Sequence, residues 1–248
     1  MSEPVAVVLA AGKGTRMKSD LPKVLCQANQ RPLIDWVLDA LEAAGIQKFL
    51  VVVGYKEELV REALQERPGV TFVLQDQQLG TGHAVKVCEE QLANHQGPAL
   101  VVAGDSPMIQ PDSIRTLLQG FESENLDCLL GTLHKENPHG LGRIVRDEAG
   151  GFVGIVEEKD ATEEQKAITE VNMSTYVFRP EHLLWALAQL KNNNRQGEYY
   201  LTDCPSILLQ SGRKVNALAV LKPCEALSVN TVDELAEVEV ELKKLAGS

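Results

Sequence analysis

The chain has 248 residues, 44% hydrophobic and only 4% aromatic, with a formal charge of −11. That is enough to bury a sizeable α/β core, while the acidity and scarcity of rings exclude broad nucleic-acid binding, which needs basic surfaces and stacking platforms. With no linker, no secretion-type N-terminus, no span-length apolar run and no C-x-x-C pair among its five cysteines, it reads as one soluble, cytoplasmic domain over 1–248, without a membrane segment, disulfide framework or zinc site.

The apolar run Val5 to Leu9 predicts a buried strand that opens into Ala10-Ala11-Gly12-Lys13-Gly14-Thr15-Arg16-Met17-Lys18-Ser19-Asp20-Leu21-Pro22-Lys23. Gly12 and Gly14 let the backbone turn and approach a ligand, so that several N–H groups can converge on phosphate oxygens. Lys13, Arg16, Lys18 and Lys23 face only Asp20 in this segment. A cationic loop at a strand end, inside an acidic protein, points to a small polyanion such as a nucleotide. Met17 stands where a dinucleotide fingerprint needs its third glycine, and the Gly-Lys-Ser/Thr ending of a P-loop is missing.

After Pro32, Leu33, Ile34, Val37, Leu38 and Leu41 share one helical face that stops at Gly45. Phe49 to Val53, Val70 to Leu74 and Ala99 to Ala103 are further strands, and Ile114, Leu117, Leu118 and Phe121 mark a helix after Pro111. This alternation implies right-handed crossovers, a mainly parallel sheet covered on both faces, and ligands beyond the carboxyl ends of its strands. Val101-Val102-Ala103-Gly104-Asp105 would present a carboxylate there.

The second half reads as mixed or antiparallel additions that wall a cleft. Strands are expected at Cys128 to Leu133, Arg143 to Val145, Phe152 to Val156, Asn172 to Phe178 and Lys214 to Val220, and a helix through Leu183, Leu184, Leu187 and Leu190. Thr231-Val232-Asp233-Glu234 has capping-box spacing. Asn230 should therefore lie just outside a terminal helix over 231–248 that carries Leu235, Val238, Leu242 and Leu245.

The opening loop is followed in order by Gln75, Leu79-Gly80-Thr81-Gly82-His83-Ala84, Gly104-Asp105-Ser106-Pro107, Gly142-Arg143-Ile144, Gly154 to Ala161, Glu170-Val171-Asn172, Asn192 to Asn194, Gln196 to Asp203 and Val229-Asn230. In these blocks the chain resembles the uridyltransferase domain of bacterial bifunctional N-acetylglucosamine-1-phosphate uridyltransferases, a branch of the sugar nucleotidyltransferases. The resemblance implies a Rossmann-like, glycosyltransferase-A-type fold. It also implies that the chain forms a UDP-sugar and pyrophosphate from UTP and a sugar 1-phosphate, most simply N-acetylglucosamine 1-phosphate, with Mg2+ as cofactor.

Carried over by residue, the resemblance assigns Ala10, Ala11 and Gly12 to the nucleotide, Arg16 and Lys23 to its phosphates, and Gln75, Gly80 and Thr81 to the uracil edge. Asp105 and Asn230 would hold Mg2+. Gly142, Glu157 and Asn172 would contact the sugar, with Glu198, Tyr199, Tyr200 and Thr202 shaping that end of the pocket. A phosphate monoester is already an ionised nucleophile, so the absence of a Ser-His-Asp or Cys-His arrangement agrees with this chemistry.

Three departures fall on the sugar side. Met173-Ser174 stands where the family has Thr-Gly, Leu141 where a Tyr is frequent, and Ser106 where an apolar residue is frequent. Glucose 1-phosphate or another hexose 1-phosphate therefore stays open, as do dTTP, CTP and a non-catalytic nucleotide-sugar sensor. No hexapeptide repeat of a β-helix acetyltransferase is present, so no acetyl-CoA activity is expected, and no oligomeric state follows. His134, His139 and the Glu158-Lys159-Asp160 run read as solvated surface. Trp36 and Trp185 read as packing residues, and His83 as a helix cap, a base contact or packing.

Overall fold

The computed structural model describes residues 2–17 and 19–246. Lys18 of the cationic loop and the last two positions of the expected terminal helix lie outside the described residues. Strand β1 (Val5–Leu9) forms where β-branched and small apolar residues run without interruption. Its neighbours explain that composition. After a short hairpin of β2 (Gln27–Ala28) and β3 (Arg31–Pro32) and helix α1 (Leu33–Ala43), β4 (Lys48–Val53) pairs with β1 in parallel. Helix α2 (Glu57–Leu64) then leads to β5 (Val70–Leu74), parallel to β4. Helices α3 (Thr81–Lys86) and α4 (Glu89–Ala93) carry the chain back to β6 (Ala99–Ala103), parallel to β1 on its other side.

Both faces of these strands are covered, so both sets of alternating side chains must be apolar. Ala6, Val8, Leu100 and Val102 pack with Ile34, Val37 and Leu38 of α1 and with Ile114 and Leu117 of α5 (Pro111–Ser123). Val5, Val7, Ala99 and Val101 pack instead with Ala84 and Val85 of α3 and with Leu183 and Leu187 of α7 (Pro180–Gln189). Helix α1 ends as its sequence requires. Gly45 takes φ +96°, its N–H reaches Glu42 O, and Ile46 N–H reaches Leu41 O at 3.0 Å, closing a Schellman motif.

The second half supplies the mixed part of a nine-stranded sheet. β7 (Cys128–His134) leads to the hairpin of β8 (Gly142–Arg146) and β9 (Phe152–Val156). A one-turn helix, α6 (Glu163–Lys166), precedes β10 (Glu170–Phe178). β10 runs antiparallel between β6 and β7 and also holds β8. Helices α7 and α8 (Cys204–Gln210) precede β11 (Val215–Ala219), which joins β7 in parallel and completes the order β11-β7-β10-β6-β1-β4-β5.

The register of β10 slips between Asn172 and Thr175, leaving Met173 and Ser174 as a bulge. Ser174 there adopts φ +53°, a left-handed conformation that costs a non-glycine residue roughly 1–2 kcal/mol. Below the bulge, Glu170 ties three strands together. It accepts Thr132 Oγ1 at 2.6 Å and Arg146 Nε and Nη2 at 2.7 Å each. Burial works to raise its carboxyl, but Arg146 and Thr132 outweigh it and hold the group below the usual carboxylate range.

Helix α9 (Val232–Ala246) begins on the expected capping box: Glu234 N–H donates to Thr231 Oγ1 at 3.2 Å, and Thr231 N–H donates to Glu234 Oε2 at 3.0 Å. Val238 and Leu242 pack against Ala28, Leu33 and Met108, whereas Leu245, expected on the same stripe, is 43% exposed. Asn29 at the β2–β3 turn donates its N–H to Glu239 Oε1 at 3.0 Å, which anchors α9 beside the crevice. Among the described residues no helix is long and apolar enough to cross a membrane.

Candidate active site

Chain order reverses at β1: β4 and β5 lie to one side and β6 to the other. In an open α/β sheet the crevice beyond the carboxyl ends of such strands binds ligands. The two strand ends are joined there by Gly104 N–H donating to Leu9 O at 2.9 Å. The cationic loop leaves β1, and Asp105 follows β6, at the same crevice.

A cavity of about 290 Å³ occupies it. Ala11, Gly12 and Lys23 line one wall, Gln75, Gly80 and Thr81 another, and Asp105 the base. A Cβ on Gly12 would meet no protein atom within 4 Å, so the bare backbone leaves room for a ligand rather than for packing. Gly14, at φ +64°, has a different task. A Cβ on it would lie 2.6 Å from Lys23 Cβ, so the lysine stem rests on the glycine. Ala10 is not part of the lining; it is fully buried and extends β1 by donating to Val52 O at 2.9 Å.

Lys23 reaches across to the far side of the loop. Its Nζ pairs with Asp105 Oδ2 and donates to Asn230 Oδ1 at 2.7 Å. Arg16 Nη2 donates to the same amide oxygen at 3.1 Å. Three segments separated by most of the sequence thus converge on one carboxylate and one amide oxygen. Asn230 is fixed at the head of α9 by its own N–H to Glu234 Oε2 at 2.6 Å. Among the described residues no cluster of three or more His, Cys, Asp or Glu could hold a metal. The pair Asp105 and Asn230 still suits Mg2+, a hard cation that binds through one or two protein oxygens and completes its shell with phosphate and water. The Lys23 ammonium, lodged on both residues, and the Arg16 guanidinium on Asn230 show that these oxygens already face positive charge.

On the opposite wall Gln75 is only 3% exposed. Its Nε2 donates to Gly80 O at 3.1 Å and pairs with His83 Nδ1 at 3.1 Å, which leaves Oε1 as the acceptor of this side chain. His83 therefore orients Gln75 and makes no cap. Thr81 Oγ1 already accepts Leu201 N–H at 3.1 Å, and Gly82 N–H donates to Tyr199 O at 2.8 Å. Tyr199 contributes main-chain support for the Gly80 loop, while Glu198 lines the cavity itself.

Gly142, Glu157 and Asn172 also come together. Gly142 pairs with Asn172 across β8 and β10, and a Cβ on it would sit 3.5 Å from Asn172 Cβ and 3.7 Å from Glu157 Oε1. Burial pushes the Glu157 carboxyl above its ordinary range; Thr202 pulls it down, and Asp203 and Asp160 add to the rise. Glu157, Thr202 and Tyr200 share a second depression of about 490 Å³. Glu158 points elsewhere, into an ion pair with the buried Arg143 at 2.6 Å, so it is not simply solvated surface.

Asn172 is held from both ends, by Ser174 of the departing Met173-Ser174 pair and by Tyr176, which no sequence pattern singles out. Its Nδ2 donates to Tyr176 OH at 2.7 Å, and its Oδ1 accepts Ser174 N–H at 3.3 Å. Tyr176 is fully buried, and burial drives its phenol far above the ordinary range. Its place in an apolar strand reads as core, and only the pairing geometry reveals the polar contact. Ser174 lines the cavity that Gly12 and Gln75 also line, so the bulge joins that cavity to the Gly142, Glu157 and Asn172 cluster. His134 and His139 are exposed as expected. Trp185 departs from its expected packing role: it is 38% exposed and lies under the Arg213 guanidinium at 4.2 Å.

The profile of the MobA-like NTP transferase domain matches residues 6–199. The chain belongs to this family. The chain is 42% identical over 239 residues to the bifunctional protein GlmU of Streptococcus mutans and 40% identical over 237 residues to that of Geotalea daltonii. Each match covers 96% of this chain and 52% of the relative, so the chain spans about half the length of these proteins. Its fold matches UDP-glucose pyrophosphorylase complexed with UDP-glucose at a TM-score of 0.78 and 20% identity, covering 98% of this chain and 99% of that one. The expected mixed, mainly parallel sheet flanked by helices is thereby the nucleotidyltransferase fold.

Proposed function

We propose that this MobA-like domain is a Mg2+-dependent uridylyltransferase that forms a UDP-sugar and pyrophosphate from UTP and a sugar 1-phosphate, N-acetylglucosamine 1-phosphate foremost. The observation that carries this reading is the convergence of Lys23, Arg16, Asp105 and Asn230 beside the bare Gly12 backbone. Its alignment with GlmU over nearly all of this chain supports the choice of uracil and N-acetylglucosamine.

Gln75 Oε1 accepts the N3–H of uracil; cytosine, which has an acceptor at that position, is disfavoured. Thymine presents the same edge as uracil and is distinguished only by its methyl group. The Ala11–Gly12 backbone and Arg16 bind the triphosphate, and Lys23 moves onto the α-phosphate region, where its charge offsets the repulsion between two polyanions. Asp105 and Asn230 hold Mg2+, which when bound supplies further neutralisation of the charge that develops on the departing pyrophosphate. Gly142, Glu157 and Asn172 orient the sugar so that its phosphate oxygen, already carrying about −1.5 to −2 charge per group, lies in line with the α-phosphorus. The new P–O bond forms as the bond to pyrophosphate breaks, and no residue has to remove a proton.

Pyrophosphate release with Mg2+, a panel of UTP, dTTP, CTP, ATP and GTP, and a panel of sugar 1-phosphates tests the reading. UTP with N-acetylglucosamine 1-phosphate should give the highest kcat/KM. Because Ser174 and Leu141 adjoin the sugar side, glucose 1-phosphate is the informative competitor. Binding of UDP-sugars without turnover of any pair would replace the enzyme with a sensor.

A further inference from the structure

Asn230 cannot serve Lys23 and a divalent cation at once while Arg16 stays on it, and on Asp105 such an ion would share a single carboxylate with the ammonium. Asn230 has one acceptor atom, Oδ1, and it already takes Lys23 Nζ and Arg16 Nη2, which use both of its lone pairs. The amide cannot turn to offer another oxygen, and its Nδ2 is engaged with Ser228 Oγ at 3.2 Å. On Asp105 the same ammonium holds Oδ2, so an ion bound through Oδ1 would lie against it. Lys23 and Asp105 side chains are 13% and 22% exposed, so solvent screens this contact only in part.

Resting on the reading above, we propose that Lys23 is a resident cation that keeps Asp105 and Asn230 in register and yields both oxygens to the divalent ion only when a polyphosphate receives its ammonium. The stem makes the exchange possible. It lies on Gly14, which has no side chain to trap it, and it lines the cavity that holds the Gly12 backbone, so rotation of the outer methylenes redirects Nζ without moving the loop. The electrostatics make it obligatory. A divalent ion and an ammonium repel at contact distance, and only an intervening polyanion lets both remain in the crevice. Lys23 thereby couples the affinity for metal to the presence of nucleotide, and the coupling acts equally in both directions.

Binding of Mn2+, followed by the electron paramagnetic resonance of the free ion with no nucleotide present, tests the exchange. Lys23→Met and Lys23→Gln should each bind Mn2+ about tenfold or more tightly than the wild type, the scale on which coupled sites commonly interact. Lys23→Arg should bind as weakly as the wild type, and adding Asp105→Asn to Lys23→Gln should abolish the gain. Unchanged or weaker Mn2+ binding in both neutral variants overturns the proposal. If neither neutral variant melts cooperatively, the 15Nζ resonance of Lys23 in the wild type decides: it should shift when UTP and Mg2+ are added together, and an unmoved signal rejects the exchange. The pyrophosphate assay separates this inference from the reading beneath it. Turnover by the wild type without tighter Mn2+ binding in the neutral variants keeps the uridylyltransferase and rejects the exchange, whereas tighter Mn2+ binding in those variants with no turnover by the wild type does the reverse.

Discussion

Asp105→Asn should lower kcat for UDP-sugar formation by about a thousandfold, the upper end of what loss of one preorganised electrostatic contact produces, while the protein should still melt cooperatively near the wild-type temperature. The amide fills the same volume and can turn its oxygen toward Lys23, so the crevice keeps its shape. What disappears is the negative charge that would anchor the proposed divalent ion between β6 and the head of α9. The measurement is pyrophosphate release at saturating UTP and sugar 1-phosphate, paired with a thermal melt. Near-normal turnover would remove Asp105 from the metal site, and an equal fall in turnover and stability would make it a structural residue.

Gly80→Ala should destabilise the fold at the site itself. Gly80 holds φ +106°, and a Cβ there would sit 2.6 Å from Tyr199 O and 2.9 Å from Tyr199 N, both main-chain atoms that cannot swing away. Left-handed strain of about 1–3 kcal/mol and overpacking of about 1–3 kcal/mol act together. A loss near 4 kcal/mol should lower Tm by roughly 8–16 °C for a chain of this size. Because Gly80 O is the acceptor that orients Gln75, the KM for UTP should rise as well. Gly12→Ala provides the contrast. Its methyl meets no protein atom, so Tm should hold while UTP binding weakens. Equal melting temperatures for Gly80→Ala and wild type would show that the loop yields more readily than its packing indicates.

Much of this framework was legible in the chain because local chemistry and global fold agree. Val5–Leu9, Val70–Leu74, Ala99–Ala103 and Phe152–Val156 form strands with the expected bounds, since runs of β-branched and apolar residues leave no other way to bury both faces. Pro32, Gly45 and the Thr231–Glu234 box delimit helices through backbone chemistry that needs no tertiary partner.

The parts that were not legible depend on contacts across long separations. The β2–β3 turn places Asn29 and Gln30 both at positive φ, and only Asn29 belongs to the residues that commonly accept it. Helices α3, α4, α6 and α8 are too short to show a stripe. Glu158 looked like part of a solvated run until Arg143 folded beneath it, and no pattern shows that the Thr81 hydroxyl accepts Leu201 N–H. Patterns could not show that Lys23 spans Asp105 and Asn230, or that Tyr176 and the Ser174 bulge grip Asn172.

A crystal structure with UTP and Mg2+ bound tests the central claim most directly. The account predicts the uracil edge on Gln75, the triphosphate along the Ala11–Gly12 backbone, the cation on Asp105 and Asn230, and the Lys23 ammonium on phosphate oxygens. A triphosphate lodged outside the crevice, or a cation bound away from Asp105 and Asn230, would contradict it.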